Sequence, residues 1–393
     1  MVFACQNISK SFGTDEIIKN ASFHIEAGEK AAIVGINGAG KTTLLRIIMQ
    51  ELSADTGEVV IARGKTIGYL PQNPDITGNH TIYEEVLSAK AYVISLEERL
   101  RKMEEELKSV PPEQLEGFMD SYNKLHHEFE QLDGYTYKSE IAGVLKGLGF
   151  SEEEFTKRMQ ELSGGQRTRV CLGKLLVMRP DIILLDEPTN HLDIGAISWL
   201  EGFLLAYRGA VVIVSHDRYF LDKVVSKVIE LDQGHVSVYP GNYSAYAGRR
   251  AQVREALLKQ YYNQQREIRH QEEVIAKLKS FNREKSIKRA ESREKMLNKI
   301  ERLDRPTEEN TDIKLKLEPR ITSGNDVLSC EHLSKAYPGQ QLFCDLNFEI
   351  KRGERVALIG DNGTGKTTIL KIINEMVPAD QGTVTLGANV HIG

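Results

Sequence analysis

The sequence is poor in cysteine. Its four residues, Cys5, Cys171, Cys330 and Cys344, are scattered and form no CxxC pair. That spacing argues against a zinc or iron–sulfur site and suggests a reducing compartment, so the expected location is cytoplasmic. There is no run of 18 apolar residues, which excludes an encoded transmembrane helix. The first residues, MVFACQNISKSFG, lack a basic region followed by an apolar core, so no secretory signal is visible. Charge of one sign does not dominate either: the net charge is −5. With 40% hydrophobic and 27% charged residues the composition is that of ordinary globular protein, and 393 residues suffice for more than one domain.

What is present is a repeat. GINGAGKTTLLRII begins at Gly35 and GDNGTGKTTILKII at Gly360, an offset of 325 residues. The same offset aligns SKSFG with SKAYPG, AGEKAAIVG with RGERVALIG, and ADTGEV with ADQGTV, without a gap from Cys5 onward. Ile392 and Gly393 fall opposite Ile67 and Gly68, four residues before the counterpart of Gln72. The reading is a duplicated domain whose second copy is truncated here, lacking roughly 100–180 residues.

The stretch AAIVGINGAGKTTLLRII reads as a buried strand, a glycine loop and a helix, and the loop fits G-x-x-x-x-G-K-[ST]. Gly35, Gly38 and Gly40 let backbone N–H groups approach phosphate oxygens. Lys41 offers a point charge to the β- and γ-phosphates, Thr42 a hydroxyl suited to Mg²⁺, and the helix N-terminus favours anions. Further on, PDIILLDEPTNHLD has an apolar run, Asp181 to Leu185, that ends in acids, as a buried parallel strand would. Asp186 is placed to hold Mg²⁺ and Glu187 to polarise an attacking water. Between them lies ELSGGQ, where Ser163, Gly164, Gly165 and Gln166 open a helix and form another anion-binding terminus. The order Phe12, glycine loop, Gln72, LSGGQ, DE, His216 is more specific than any one of these strings.

That ordered set resembles the nucleotide-binding domain of the ABC ATPases over residues 1–247 and again over 327–393. The resemblance implies an α/β fold, a P-loop NTPase of ABC type, with ATP and Mg²⁺ as cofactors. It implies that Phe12 and Tyr337 stack on adenine. Gly35, Asn37, Gly38, Gly40, Lys41, Thr42 and Thr43 would form one phosphate loop, and Gly360, Asn362, Gly363, Gly365, Lys366, Thr367 and Thr368 the other. Thr42, Thr367, Gln72 and Asp186 would serve Mg²⁺. Glu187, His216 and Gln72 would be catalytic, with His216 sensing the γ-phosphate and Asp193 lying between the two domains.

The segment after the first domain narrows the family. From Arg249 to Arg305 there are 17 Lys+Arg against 9 Asp+Glu, a net of +8, while the remainder stands at 34 against 47. One basic element on an acidic protein points to a polyanionic partner. Tyr246 to Leu278 reads as a helix of roughly 50 Å and Arg289 to Leu303 as a second, together a coiled-coil-like hairpin over 248–320. Its basic tip is expected at Arg283, Lys285, Lys288 and Arg289, with Arg293 beside it. This segment, with SHDRYFLDKV, YPGNYSAY and DEPTNHLD, resembles the interdomain linker of the ABC-F proteins. The resemblance implies that the linker reaches the ribosome and contacts tRNA and rRNA, either to tune translation or to protect ribosomes from antibiotics. The contacts would be mainly to phosphate, hence salt-sensitive.

Within the first domain, residues 91–134 read as a helical insertion split at Pro111 and Pro112. Leu96, Leu100, Met103 and Leu107 form one stripe and Leu115, Tyr122, Leu125, Phe129 and Leu132 the other, expected to pack as an antiparallel hairpin. In ABC proteins each ATP lies between one domain's phosphate loop and the other's LSGGQ. Here the Lys366 loop can use Ser163 but lacks its own acids, and the Lys41 loop lacks an opposing LSGGQ. The expectation is therefore ATP binding at Lys41 with weak turnover and apolar surface exposed on the second copy, unless two chains pair and exchange loops. The alternative reading is the ATP-binding subunit of an ABC membrane transporter, which leaves the basic linker without a role. Repair ATPases of ABC type carry zinc modules or longer coiled coils, and neither is seen.

Overall fold

The computed structural model describes residues 1–72, 79–111, 114–280, 284–299, 322–337, 340–360 and 362–392. They fall into two compact units, Met1–Asn242 with Pro319–Gly393, and Tyr243–Glu318. Of the predicted linker tip, Arg283 lies outside the described residues, as does the side chain of Lys285.

The larger unit is built on two sheets. Strands β1 (Phe3–Phe12), β2 (Asp15–Ile25) and β4 (Thr56–Ile61) form an antiparallel sheet in the order β2-β1-β4. The other sheet has six strands: β3 (Lys30–Val34), β5 (Ile67–Leu70), β6 (Ile182–Asp186), β7 (Ala210–Val214), β8 (Lys227–Asp232) and β9 (His235–Pro240). Their order is β5-β6-β7-β3-β8-β9, parallel throughout except for β9. KAAIV, IILLD and AVVIV are buried at every position, because both faces of the sheet are covered and no solvent side is left for alternation. The core between the two sheets joins Phe3, Ile8, Ile18, Ile33, Leu44, Leu45, Ile48 and Val212.

Helix α1 (Lys41–Ile48) follows β3. Helices α2 (Ile82–Leu87), α3 (Ala91–Glu106), α4 (Leu115–Gln131), α5 (Tyr137–Gly147) and α6 (Gly164–Met178) lie between β5 and β6. Helix α7 (Ile194–Ala206) precedes β7 and α8 (Arg218–Val224) follows it. The insertion is the hairpin α3–α4, but its stripes bury only in part. Leu96, Leu100, Leu125 and Phe129 are buried, while Leu107, Leu115 and Leu132 are exposed. The two helices touch each other, and among the described residues the ends of the stripes stay uncovered.

The repeat recurs in the backbone. Strands β10 (Asp326–Tyr337), β11 (Gln340–Lys351) and β12 (Gln381–Leu386) form a sheet ordered β11-β10-β12, and α11 spans Lys366–Ile373. Phe3 pairs with Ile25 and Ile61; Leu328 pairs with Ile350 and Leu386, each partner displaced by the same 325 positions. The irregularity at Asn7 (φ 49°) returns at His332 (φ 51°). Opposite it, a Cβ at Gly57 would lie 2.3 Å from the carbonyls of Gln6 and Asn7, and one at Gly382 would lie 2.4 Å from that of His332. Both glycines are therefore required by close backbone approach as well as by their positive φ. The copies part at residues 354–360, which have no strand pairing. Val356, Leu358 and Ile359 are exposed, whereas Ala31, Ile33 and Val34 at the matching positions are buried. The reason is that β3 is held between β7 and β8, and these strands have no repeat counterpart among the 393 residues.

The smaller unit contains α9 (Tyr243–Ser280) and α10 (Glu284–Leu297). At 38 residues α9 is about 57 Å long. It starts ahead of the predicted Tyr246, and α10 starts ahead of the predicted Arg289, since no proline or glycine interrupts REKSIKRA. The predicted end at Leu303 lies outside the described residues. Ile268 and Ile275 pack with Ala290 and Leu297, and Lys279 Nζ meets Glu294 Oε2 at 2.8 Å. Lys288, Arg289 and Arg293 are exposed on α10, and Arg293 Nη1 donates to Gln271 Oε1 at 2.8 Å.

Candidate functional site

Four adjacent parallel strands end on one edge of the large sheet, and each delivers a side chain there. Lys41 follows β3, Gln72 follows β5, Asp186 ends β6 with Glu187 next, and His216 follows β7. Ligands of open α/β sheets bind at this carboxyl edge. A cleft of about 600 Å³ is lined there by Phe12, Asn37, Gly38, Gly40, Lys41, Thr42, Thr43, Gln72, Asp186, Glu187 and His216. Ile17, Asn190 and Val214 complete its wall. The sequence did not mark them, because Ile17 and Val214 sit in strand patterns that read as core.

The three loop glycines have different reasons to be glycine. A Cβ at Gly38 (φ 81°) would meet nothing, so its backbone is open to a phosphate. At Gly35 the missing Cβ makes room for the Leu231 carbonyl, 2.4 Å away, and at Gly40 for Ile17 Cγ2 at the same distance. Those two therefore seat the loop on β8 and β2 rather than opening it to a ligand. Gly40 (φ 98°) then starts α1 with its first amides directed at the cleft. Lys41 Nζ donates to the carbonyls of Gly35 (2.9 Å) and Ile36 (3.0 Å). Burial lowers its pKa, against the opposing pull of Glu187 and Asp186.

Thr42 Oγ1 donates to Asp186 Oδ2 at 2.8 Å. Burial pushes the Asp186 carboxyl above its ordinary range, and the Thr42 bond and Lys41 only partly oppose this. A buried carboxylate, a hydroxyl and the nearby Gln72 make an all-oxygen donor set, the kind a hard divalent ion such as Mg²⁺ takes. Glu187 has a left-handed backbone (φ 52°) held by its N–H to the Val214 carbonyl at 2.8 Å. Its Oε2 accepts from the His216 N–H at 3.3 Å, and its buried Oε1 has no hydrogen-bond partner. His216 Nε2 is 3.6 Å from that oxygen. Burial raises the Glu187 pKa as well, with Asp186 adding to it and the His216 contacts and Lys41 opposing it.

The cost of burying Asp186 as an anion yields a stability prediction. Its folded pKa is raised, so folding is penalised at pH above that value and the penalty fades as pH falls toward the carboxylate range. Asp186→Asn should therefore raise the melting temperature of the nucleotide-free protein by a few degrees at neutral pH. The same variant should lose the extra stabilisation that Mg²⁺ adds to nucleotide. Thermal melts with and without Mg²⁺ and ATP measure both; a lower melting point for the nucleotide-free variant would contradict the account.

The second phosphate loop repeats the first in part. Gly363 (φ 86°) and Gly365 (φ 100°) keep the conformations of Gly38 and Gly40, and Lys366 Nζ donates to the Gly360 carbonyl at 2.6 Å. Phe12 lies under Lys10 Nζ at 5.8 Å and Tyr337 under Lys335 Nζ at 5.6 Å; each lysine is held by an aspartate, Asp55 or Asp380, at 2.6 Å. Thr367 and Thr368 open α11, and no acid corresponding to Asp186 faces Thr367 among the described residues.

The LSGGQ segment begins α6. Ser163 caps that helix: its Oγ accepts from the Gln166 N–H, and Gln166 Oε1 accepts from the Ser163 N–H at 3.0 Å. The Gln166 side chain is thereby turned back onto its own helix. A Cβ at Gly164 would meet nothing, while one at Gly165 would lie 2.8 Å from His191. A further cleft of about 1000 Å³ brings Ser163, Gly165 and Gln166 together with Asn362 and Gly363 of the second loop. Asn362 Nδ2 donates to the His191 carbonyl at 2.9 Å, joining the second loop to the turn before α7. Sequence reasoning missed His191, whose part in this contact is made by its backbone.

These features define a nucleotide-binding domain of ABC type with a partial second copy facing its LSGGQ turn. Patterns of the ABC transporter family match residues 18–190 and 343–392, and a second pattern of the same description matches 229–316. YdiF of Bacillus subtilis (strain 168) is 41% identical over all of this chain and 61% of its own length. ABC transporter F family member 5 of Arabidopsis thaliana is 33% identical over 97% of this chain and 56% of its own. The energy-dependent translational throttle protein EttA of Mycobacterium tuberculosis (strain ATCC 25618 / H37Rv) is 31% identical over all of this chain and 68% of its own. A solved ATP binding subunit of an ABC transporter, 16% identical, covers 61% of this chain and 90% of that one with a TM-score of 0.46. The chain belongs to the ABC-F family. It spans about three fifths of the length of the first of these relatives. No described helix is long and apolar enough to cross a membrane.

Proposed function

We propose that the protein binds and hydrolyses ATP and couples this to action on the ribosome, as a translation factor or a ribosome-protecting antibiotic-resistance factor. The observation that carries the ATPase half is the convergence of Lys41, Thr42, Gln72, Asp186, Glu187 and His216 on one cleft. Phe12 offers a face to the adenine. The Gly38 backbone and the α1 amides receive the phosphates, and Lys41 exchanges its two carbonyl partners for phosphate oxygens. Thr42 and Asp186 would hold Mg²⁺, which when bound neutralises charge on the β- and γ-phosphates. Glu187 keeps a free, buried Oε1 for the attacking water and, with its raised pKa, accepts the proton. His216, exposed beside it, meets the γ-phosphate. In the second cleft the Lys366 loop presents its nucleotide to Ser163 and the Gly164 and Gly165 amides, so the two domains close as a sandwich.

The ribosomal half rests on the basic segment. Exposed Lys288, Arg289 and Arg293 on a helical hairpin suit the phosphates of rRNA and tRNA, and one relative carries the name of a translational throttle. The test uses the full-length gene product in lysate sedimented through sucrose, with and without ATP. ATP-dependent, salt-sensitive recovery with ribosomes is the expected result. Recovery with membranes and none with ribosomes would replace this function by that of a transporter subunit.

A further inference from the structure

Arg169 lies in the second turn of α6, the helix that Ser163 caps, and is 7% exposed. Its Nη1 donates to the Leu148 carbonyl, the C-cap of α5, at 3.1 Å. Its guanidinium stacks over Phe150 at 4.7 Å. Its Nε–H is buried and has no partner. Across Gly149 it looks toward Asp193: a Cβ at Gly149 (φ 83°) would lie 3.2 Å from Arg169 Nη1 and 3.4 Å from Asp193 Oδ2. Asp193 in turn caps α7, accepting the Ala196 N–H at 2.8 Å, and ends the turn whose His191 carbonyl takes Asn362 Nδ2. Arg169 also lines the cleft that holds Ser163, Gly165 and Gly363.

A buried guanidinium with an unused donor, and with Asp193 and Glu154 attracting it but not in a close ion pair among the described residues, is costly, and an apolar side chain of similar volume would serve packing at least as well. The charge therefore calls for another account. We propose that Arg169 is a positioning residue for the nucleotide on the Lys366 loop. It ties the α5 end and the LSGGQ helix to the Asp193 turn. When the second loop closes on Ser163, the guanidinium, whose Nη1 already faces Asp193 across Gly149, takes the Asp193 carboxylate, so that the Ser163–Gly165 amides and the His191 carbonyl move as one piece. This rests on the reading that Ser163 and Lys366 share one nucleotide.

The experiment compares Arg169→Met, Arg169→Lys, Asp193→Asn and the Arg169→Met/Asp193→Asn pair in the full-length gene product. Steady-state ATP hydrolysis and thermal melting are measured on each. Arg169→Met should melt within a few degrees of wild type yet lose about 10- to 100-fold in kcat with little change in KM, because the groups that hold the transition state are displaced rather than removed. Arg169→Lys should lose nearly as much, since an ammonium cannot contact Leu148 and Asp193 together. The double variant should be no worse than the worse single. A wild-type kcat in Arg169→Met, additive losses in the pair, or a loss that tracks unfolded protein would overturn the proposal. Lys366→Ala separates the two failures. If it abolishes hydrolysis while Arg169→Met does not, the shared site stands and the role of Arg169 falls. If it leaves hydrolysis unchanged, both fall.

Discussion

Glu187→Gln should lower ATP hydrolysis at the Lys41 site by about 10²- to 10⁴-fold while leaving ATP binding intact. Glutamine has the same shape, and its carbonyl oxygen can keep the His216 N–H contact made by Oε2. What disappears is the proton acceptor at the buried Oε1, the atom with no hydrogen-bond partner. The fold should not suffer, because a neutral amide is easier to bury than the carboxylate whose pKa burial raises. The pH profile carries a second signature. A base with a raised pKa loses activity, as pH falls, before an ordinary carboxylate would; this acidic limb should vanish in the variant. Single-turnover hydrolysis and equilibrium nucleotide binding, across pH, measure both effects. Near-normal turnover in the variant would remove Glu187 as the base.

Replacing Lys288, Arg289 and Arg293 together by glutamate should weaken ribosome binding by roughly 10²- to 10³-fold at 0.1 M salt. If each contacts one phosphate, the slope of log affinity against log salt should become shallower by about three. The ATPase should be unchanged in the absence of ribosomes. The hairpin should still fold, because Ile268, Ile275, Ala290 and Leu297 and the Lys279–Glu294 pair are untouched. The exposed Arg293–Gln271 hydrogen bond is lost. Binding assays over a salt series with purified ribosomes give the numbers. An unchanged slope would mean that α10 does not meet phosphate and that the basic charge serves solubility.

Much of the nucleotide site was legible because its parts are local. A glycine loop before a helix, an apolar run that ends in acids and a cap at Ser163 are each encoded within about ten residues. Their meeting in one cleft follows from parallel strands all pointing the same way. The roles of the individual glycines were not legible. That Gly35 and Gly40 yield space to Leu231 and Ile17 depends on strands far away in the chain. Helices α3 and α4 lie in the insertion, yet periodicity could not tell that Leu107, Leu115 and Leu132 stay exposed. Periodicity marks which face is apolar; only packing says how far along the helix a partner reaches.

By itself the sequence determined the duplication, the phosphate loops, the acids and the basic segment, since each is a short pattern or a charge count. Tertiary structure alone decided the rest. It placed Asn362 on the His191 carbonyl, a backbone acceptor that every residue type would offer and no pattern can flag. It buried Arg169 between Leu148, Phe150 and Asp193. It also made a strand of AAIV and left VALI unpaired, though the two look alike. Whether an apolar run becomes a strand is settled by the neighbours that hydrogen-bond to it, and in a parallel sheet those neighbours are distant in sequence.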